Sequence, residues 1–175
     1  MDFERLTDPQ HPMYHTAMAL YQKSFPPHEQ RETPSQGNIL HHPEYHFTLA
    51  YDGKLFIGLI LYWGTPDFLY VEHFCILPEL RNRHYGQRIL AELGKQSKTI
   101  ILEINPPINE ISVRRKGFYE RCGFTENPYA HVHPPYHPGN PGHRLVVMSS
   151  PEKLTPDAYE HFYRFLLDTV MKHAY

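Results

Sequence analysis

Apolar side chains recur along this chain with two periods, and where the period changes the expected element changes too. Over residues 13–25, Met13, Ala17, Leu20, Tyr21 and Phe25 keep helical spacing until Pro26-Pro27 stops them. A polar stretch with prolines follows, and a short helix is expected over 35–42. From Tyr45 the pattern becomes extended: 45–51, 54–63 and 68–77 are rich in aromatic and β-branched residues. Asp52-Gly53 predicts a tight hairpin between the first two, and Gly64-Thr65-Pro66-Asp67 turns the chain into the third. Three antiparallel strands in series follow.

Helical spacing resumes over 84–98, with Ile89, Leu90 and Leu93 on one face. TIILEI at 99–104 reads as a short apolar strand ended by Pro106-Pro107. Residues 111–122 suit a helix broken at Gly123, and Phe124 resumes extended backbone. The segment 127–143, NPYAHVHPPYHPGNPGH, holds too many prolines for a helix and is expected to be a long ordered loop. RLVVMS at 144–149 predicts a last strand. Thr155 and Pro156 then open an amphipathic helix over 155–173, with Tyr159, Phe162, Phe165, Leu166 and Val170 on one side. A strand–helix–strand crossover beside a meander predicts an α/β fold: a mixed, mostly antiparallel sheet flanked by helices. The expected organisation is one domain over 1–150 and a helical extension over 151–175, packed on that domain or on a second subunit.

Composition narrows the function classes. The 175 residues are 41% hydrophobic and 14% aromatic, enough for a proper core. A formal charge of −2 offers no basic face for nucleic acid. No apolar run approaches the ~20 residues that span a bilayer, and the first residues lack the basic start and apolar stretch of a signal peptide. Cys75 and Cys122 are too few for a disulfide framework, so a cytoplasmic protein is expected. His131, His133, His137 and His143 raise the question of a metal. No cysteine accompanies them and their spacing matches no structural pattern, so no metal is expected.

The chemistry concentrates in LYVEHFCILPELRNRHYGQ at 69–87. A strand ends at Pro78, a basic turn follows, and a helix starts near His84. Such a turn presents unpaired backbone N–H groups that, with the helix dipole, suit an anion. Arg81, Arg83 and Arg88 would add charge-assisted contacts, and a diphosphate is the expected guest. The turn Arg81-Asn82-Arg83-His84-Tyr85-Gly86 resembles the Q/R-x-x-G-x-G/A pyrophosphate loop of the GNAT superfamily of N-acetyltransferases. ILPEL resembles that family's lead-in, Ile101-Leu102-Glu103-Ile104-Asn105 its "LEVN" strand, and Gly117-Phe118-Tyr119-Glu120-Arg121-Cys122-Gly123-Phe124 its "FYExxGF" block. The resemblance covers roughly residues 45–150. His84 departs from it by standing where the family has its first loop glycine, a position where a left-handed backbone would cost histidine roughly 1–2 kcal/mol.

The resemblance implies direct acetyl transfer from acetyl-CoA, as cosubstrate, to a primary amine of a small molecule or peptide. The alternative is a catalytically inactive GNAT-like module that binds acyl-CoA. It also leaves room for a homodimer. The implied cofactor-binding residues are Ile76, Leu77, Arg81, Asn82, Arg83, His84, Tyr85, Gly86, Gln87, Arg88 and Asn105. Tyr119 matches the family tyrosine that serves the leaving thiolate. Glu72, in Tyr70-Val71-Glu72-His73-Phe74, resembles a strand glutamate that acts as base through water, and Glu103 aligns with a second such carboxylate. His73, next to it in the strand, is a weaker candidate base and a candidate substrate contact, on the opposite face unless a bulge intervenes. The proline loop, through His133 and Tyr136, is expected to cover the acceptor pocket. Cys75 and Cys122 are expected to be packing rather than nucleophiles.

Overall fold

The computed structural model describes residues 1–172 and 174. Eight strands form the sheet: β1 (Asp2–Leu6), β2 (Tyr45–Asp52), β3 (Leu55–Gly64), β4 (Phe68–Ile76), β5 (Thr99–Ile104), β6 (Thr125–Glu126), β7 (His131–His133) and β8 (His143–Ser150). Their order is β1-β2-β3-β4-β5-β8-β6, with β7 paired to β8. Only β4 and β5 run parallel, joined by the crossover helix α3 (Tyr85–Gly94). The predicted meander and crossover are therefore present. Two strands are not anticipated by the apolar pattern. β1 buries only Leu6 and is held by its ladder to β2, while β7 lies within the proline-rich loop, secured by pairing His131↔Leu145 and His133↔His143.

Helices cover both faces. On one, α1 (Tyr14–Ser24), α5 (Pro156–Phe165) and a π-helical turn (Leu166–Val170) pack Ala17, Tyr21, Phe162 and Val170 against Phe47, Leu61, Tyr70 and Val147. On the other, α3 and α4 (Glu110–Arg121) set Ile89, Leu93 and Phe118 against Ile60, Val71 and Leu102. A short helix α2 (Thr33–Asn38) precedes β2. The expected last helix reaches to 173, where His173 lies outside the described residues. Thr155 caps α5 as expected, its side chain accepting from the Ala158 N–H.

Two irregularities shape the middle of the sheet. Tyr62 pairs with Val71 and Leu61 with His73, so Glu72 is an extra residue on β4. Such a bulge shifts side-chain parity by one. Phe68 and Tyr70 face the α1/α5 side before it, and Cys75 does so after it. Glu72 and His73 consequently share that face. The second irregularity is a split: β4–β5 pairing ends at Val71↔Leu102, and β5 turns its remaining edge to β8. The 72–76 stretch of β4 keeps β3 on one side and has no strand on the other.

Candidate active site

A cleft of about 1620 Å³ passes through this split. It is lined on the α3/α4 side by Phe74, Ile76, Gly86 and Phe118, and on the α1/α5 side by Glu72, His73, His133 and Tyr136. The exposed edge of β4 runs between the two halves.

The α3/α4 half is built from backbone and helix ends. Leu77 is tied to β3 through its N–H to Ile57 O (2.9 Å), and the chain then makes a 3-10 turn, Pro78–Leu80. Asn82 and His84 both take left-handed backbone, with φ of 61° and 63°. These are residue types that tolerate it best after glycine. His84 is the N-cap of α3 but makes no side-chain cap bond, and the first helical bond runs from Arg88 N–H to His84 O at 3.1 Å. The N–H groups of Tyr85, Gly86 and Gln87 thus lack helical acceptors beside the cleft that these residues line. A Cβ on Gly86 would sit 3.0 Å from Phe118 Cζ, so the site needs glycine for close approach of α3 to α4.

α4 faces this loop. Asn109 starts it with a capping box: its side chain accepts from Ser112 N–H, and its own N–H donates to Ser112 Oγ. From that start Ile111, Arg114, Arg115, Phe118, Tyr119 and Cys122 fall at helical spacing along the cleft. Arg114 also donates to Asn82 Oδ1 (3.1 Å). Tyr119 packs edge-on against Phe118 and Phe124, and its hydroxyl has no hydrogen-bond partner among the described residues. Burial pushes its phenol up to about 12, so it is neutral and a donor.

The expected basic residues divide. Arg81 lines the cleft, as do Asn82, His84, Tyr85, Gln87 and Asn105. Leu77, Arg83 and Arg88 are not among its lining residues. Arg88 makes a two-pronged ion pair with Asp52 (3.0 and 3.1 Å) on the β2–β3 hairpin and lies over the Tyr85 ring. Arg114 and Arg115 are the cations that the sequence reading passed over, although VRRKGFYE carried them beside the matched block.

The α1/α5 half is a side-chain network. Glu72 accepts from Arg31 Nε (3.0 Å), Trp63 Nε1 (2.7 Å) and Tyr136 O–H (2.9 Å), and is ion-paired to Arg31 Nη2 at 2.9 Å. Arg31, itself 3% exposed, also donates to Val170 O (2.6 Å), tying β4 to the C-terminal turn. Burial raises the Glu72 carboxyl, but Arg31, His73 and the two hydrogen bonds outweigh it and hold the group below its usual range. Three hydrogen bonds, two to Oε1 and one to Oε2, hold the carboxylate in place.

Glu103 is differently placed. It accepts from Tyr70 O–H and from His131 Nε2, while His131 Nδ1 meets Tyr159 O–H at 2.9 Å. His133 Nε2 stands 3.8 Å from Glu103 Oε2, beyond hydrogen-bond range. The other ring nitrogen, Nδ1, contacts Pro134 O at 2.6 Å. A carbonyl only accepts, so Nδ1 carries a proton, and in the neutral form of the ring Nε2 would offer a lone pair. That nitrogen is buried without a partner. Against the burial that raises it, His133, His131 and Tyr70 keep the Glu103 carboxyl below its usual range. A carboxylate oxygen and an imidazole nitrogen thus meet at one spot in the cleft, which with the ring neutral would receive an N–H donor.

His73 follows the same logic. Its Nε2 meets Glu29 O at 2.8 Å, leaving Nδ1 as an unpartnered acceptor. Burial lowers its basicity, Glu72 opposing, so the ring is neutral at pH 7. Cys75 is buried and its thiol is pushed up to about 11 by desolvation, which leaves it unreactive. Sequence reasoning did not find Arg31 or His131. Their partners lie 41 and 28 residues away, beyond any local pattern.

Comparison with known proteins adds a lineage. A profile of the Acetyltransferase (GNAT) domain matches residues 43–126. A structure from Bacteroides thetaiotaomicron, assigned to the GNAT acetyltransferase family, is 33% identical, with 98% of each chain covered and a TM-score of 0.91. The ribosomal-protein-S18-alanine N-acetyltransferase of Escherichia coli shares the fold at 16% identity, covering 89% of this chain and 96% of that one, TM-score 0.54. An aminoglycoside 6'-N-acetyltransferase solved with coenzyme A shares it at 15% identity, covering 86% and 96%, TM-score 0.50. No curated protein matches the sequence significantly.

Proposed function

The chain belongs to the GNAT acetyltransferase family, and we propose that it moves an acetyl group from acetyl-CoA directly to a primary amine of a small molecule or peptide. One observation carries this reading: a single cleft crosses the β4–β5 split, with unpaired helix N–H groups and cations at one end and a carboxylate and imidazoles at the other. A protein of the same fold has been solved with coenzyme A. The donor-rich half of this chain fits such a diphosphate, with the N–H groups of Tyr85–Gln87 and Arg81, Arg114 and Arg115 around it. The thioester supplies an activated acetyl group, and CoA leaves as a thiolate. Both cysteines are unpaired, which suits a reducing, cytoplasmic setting.

The residues divide the work. Glu103 Oε2 and His133 Nε2 receive the acceptor nitrogen, and His133 takes its proton as the carbon–nitrogen bond forms. The carbon–sulfur bond breaks as it does so. Tyr119 donates a hydrogen bond to the departing sulfur. Its phenol, near 12, does not surrender the proton: transfer to a thiolate of pKa about 8.5 would run uphill by roughly 5 kcal/mol. Glu72, held by its hydrogen bonds, positions Tyr136 and the β4 bulge, and His73 lines the acceptor passage. Asn105 closes the cleft at the end of β5.

The test is thiol release from acetyl-CoA across a panel of amines, with calorimetric titration of CoA alongside. Amine-dependent release with micromolar CoA binding is the expected result. CoA binding without release for any amine would favour an inactive acyl-CoA-binding module. No binding at millimolar CoA would remove both.

A further inference from the structure

His28, Glu29 and His143 stand together at the rim of the acceptor half. Their ligand atoms lie within 4.8 Å of one another, and all three residues line the cleft. Glu29 Oε1 is 3.7 Å from His28 Nε2 and 3.9 Å from His143 Nδ1, too far for hydrogen bonds. We propose that these three side chains form a binding site for a divalent transition-metal ion of the zinc type.

Chemistry and support both favour it. Two imidazoles and a carboxylate are the donor set of borderline ions such as zinc or cobalt, whereas magnesium and calcium take oxygen ligands. Metal–ligand bonds of about 2.0–2.1 Å place tetrahedral donors roughly 3.4 Å apart. The two carboxylate–imidazole separations exceed that by a few tenths of an ångström, and the two imidazoles, within 4.8 Å of each other, would close by side-chain rotation. The three sit on anchored backbone. Glu29 O receives the buried His73 ring, and His143 is the first residue of β8, paired to His133. The two segments are already in contact, because His137 Nε2 donates to Pro27 O at 2.9 Å. Three protein ligands leave a fourth position open. A bound ion would pin the proline-rich loop to the turn at Pro27–Glu29 and present that open position to the acceptor passage. This site does not depend on acetyl transfer and would bind its ion in the absence of any substrate.

Cobalt(II) is the probe, because its visible absorption reports coordination number and imidazole ligation. Titration into the full chain is expected to give one equivalent with four- or five-coordinate bands. Affinity should fall at least tenfold in His143→Ala and in Glu29→Gln, and remain unchanged in His161→Ala, a surface histidine beside Asp67. Circular dichroism and CoA binding establish that each variant is folded. Absence of a stoichiometric site at micromolar cobalt, or a site that survives both substitutions in folded protein, would overturn the proposal.

Discussion

The two halves of the cleft are made in opposite ways. The α3/α4 half uses main chain: an unpaired strand edge, a left-handed turn, an uncapped helix start, and a glycine that lets helices approach. The α1/α5 half uses side chains from distant segments: Arg31 and Tyr136 bonded to Glu72, Tyr70 and His131 bonded to Glu103, and His133 stacked on Tyr136 between them. The first geometry offers donors to an anion and tolerates changes in its side chains. The second offers acceptors and tolerates few. A scaffold divided so can keep one cosubstrate while its acceptor end varies.

Substitutions test that contrast, and the largest effect belongs to the network. Arg31→Met leaves the Glu72 carboxylate buried and uncompensated, and should cost about 3–5 kcal/mol in urea unfolding. Acid should act on the same half. Glu72 and Glu103 have depressed carboxyls, and burial lowers His73 too. In each case the unfolded chain binds the proton more tightly, so stability is full above the unfolded pKa and declines as pH falls. The melting temperature should therefore begin to drop near pH 6.5 through His73, and more steeply below about pH 4.3 through the carboxylates.

Smaller effects belong to the other half. Tyr119→Phe removes one hydrogen bond to a charged leaving atom and should lower kcat about tenfold to a hundredfold with acetyl-CoA KM unchanged. Arg114→Ala should raise acetyl-CoA KM about tenfold. Arg88→Ala breaks an exposed, solvent-screened pair on the hairpin and should change that KM less than twofold. Equal effects from Arg88 and Arg114 would mean that Arg88 leaves Asp52 for the cosubstrate.

Legibility followed the same division. The α3/α4 end lies largely in one run of sequence, 76–87, where the turn, the glycine and the helix start are all local, and each could be read from residue type. Arg88 could not, because its partner Asp52 is 36 positions away. At the acceptor end Glu72 and Glu103 were identifiable as carboxylates in apolar strands, since a buried charge demands a partner. Which partners they hold was not readable: that depends on Arg31 arriving from before β2 and His131 from a strand hidden among prolines. The bulge at Glu72, which puts His73 on its face, leaves no trace in composition. The metal question shows the same limit, since His143 was weighed with its loop neighbours and its closest carboxylate is Glu29.

The central claim is that the two halves serve different partners of one reaction. Two-substrate steady-state kinetics on His133→Ala tests it most directly. A fall in kcat of about a hundredfold is predicted, with a raised acceptor KM and an unchanged acetyl-CoA KM. A variant with normal kcat, or one whose loss falls on acetyl-CoA KM, would contradict the account.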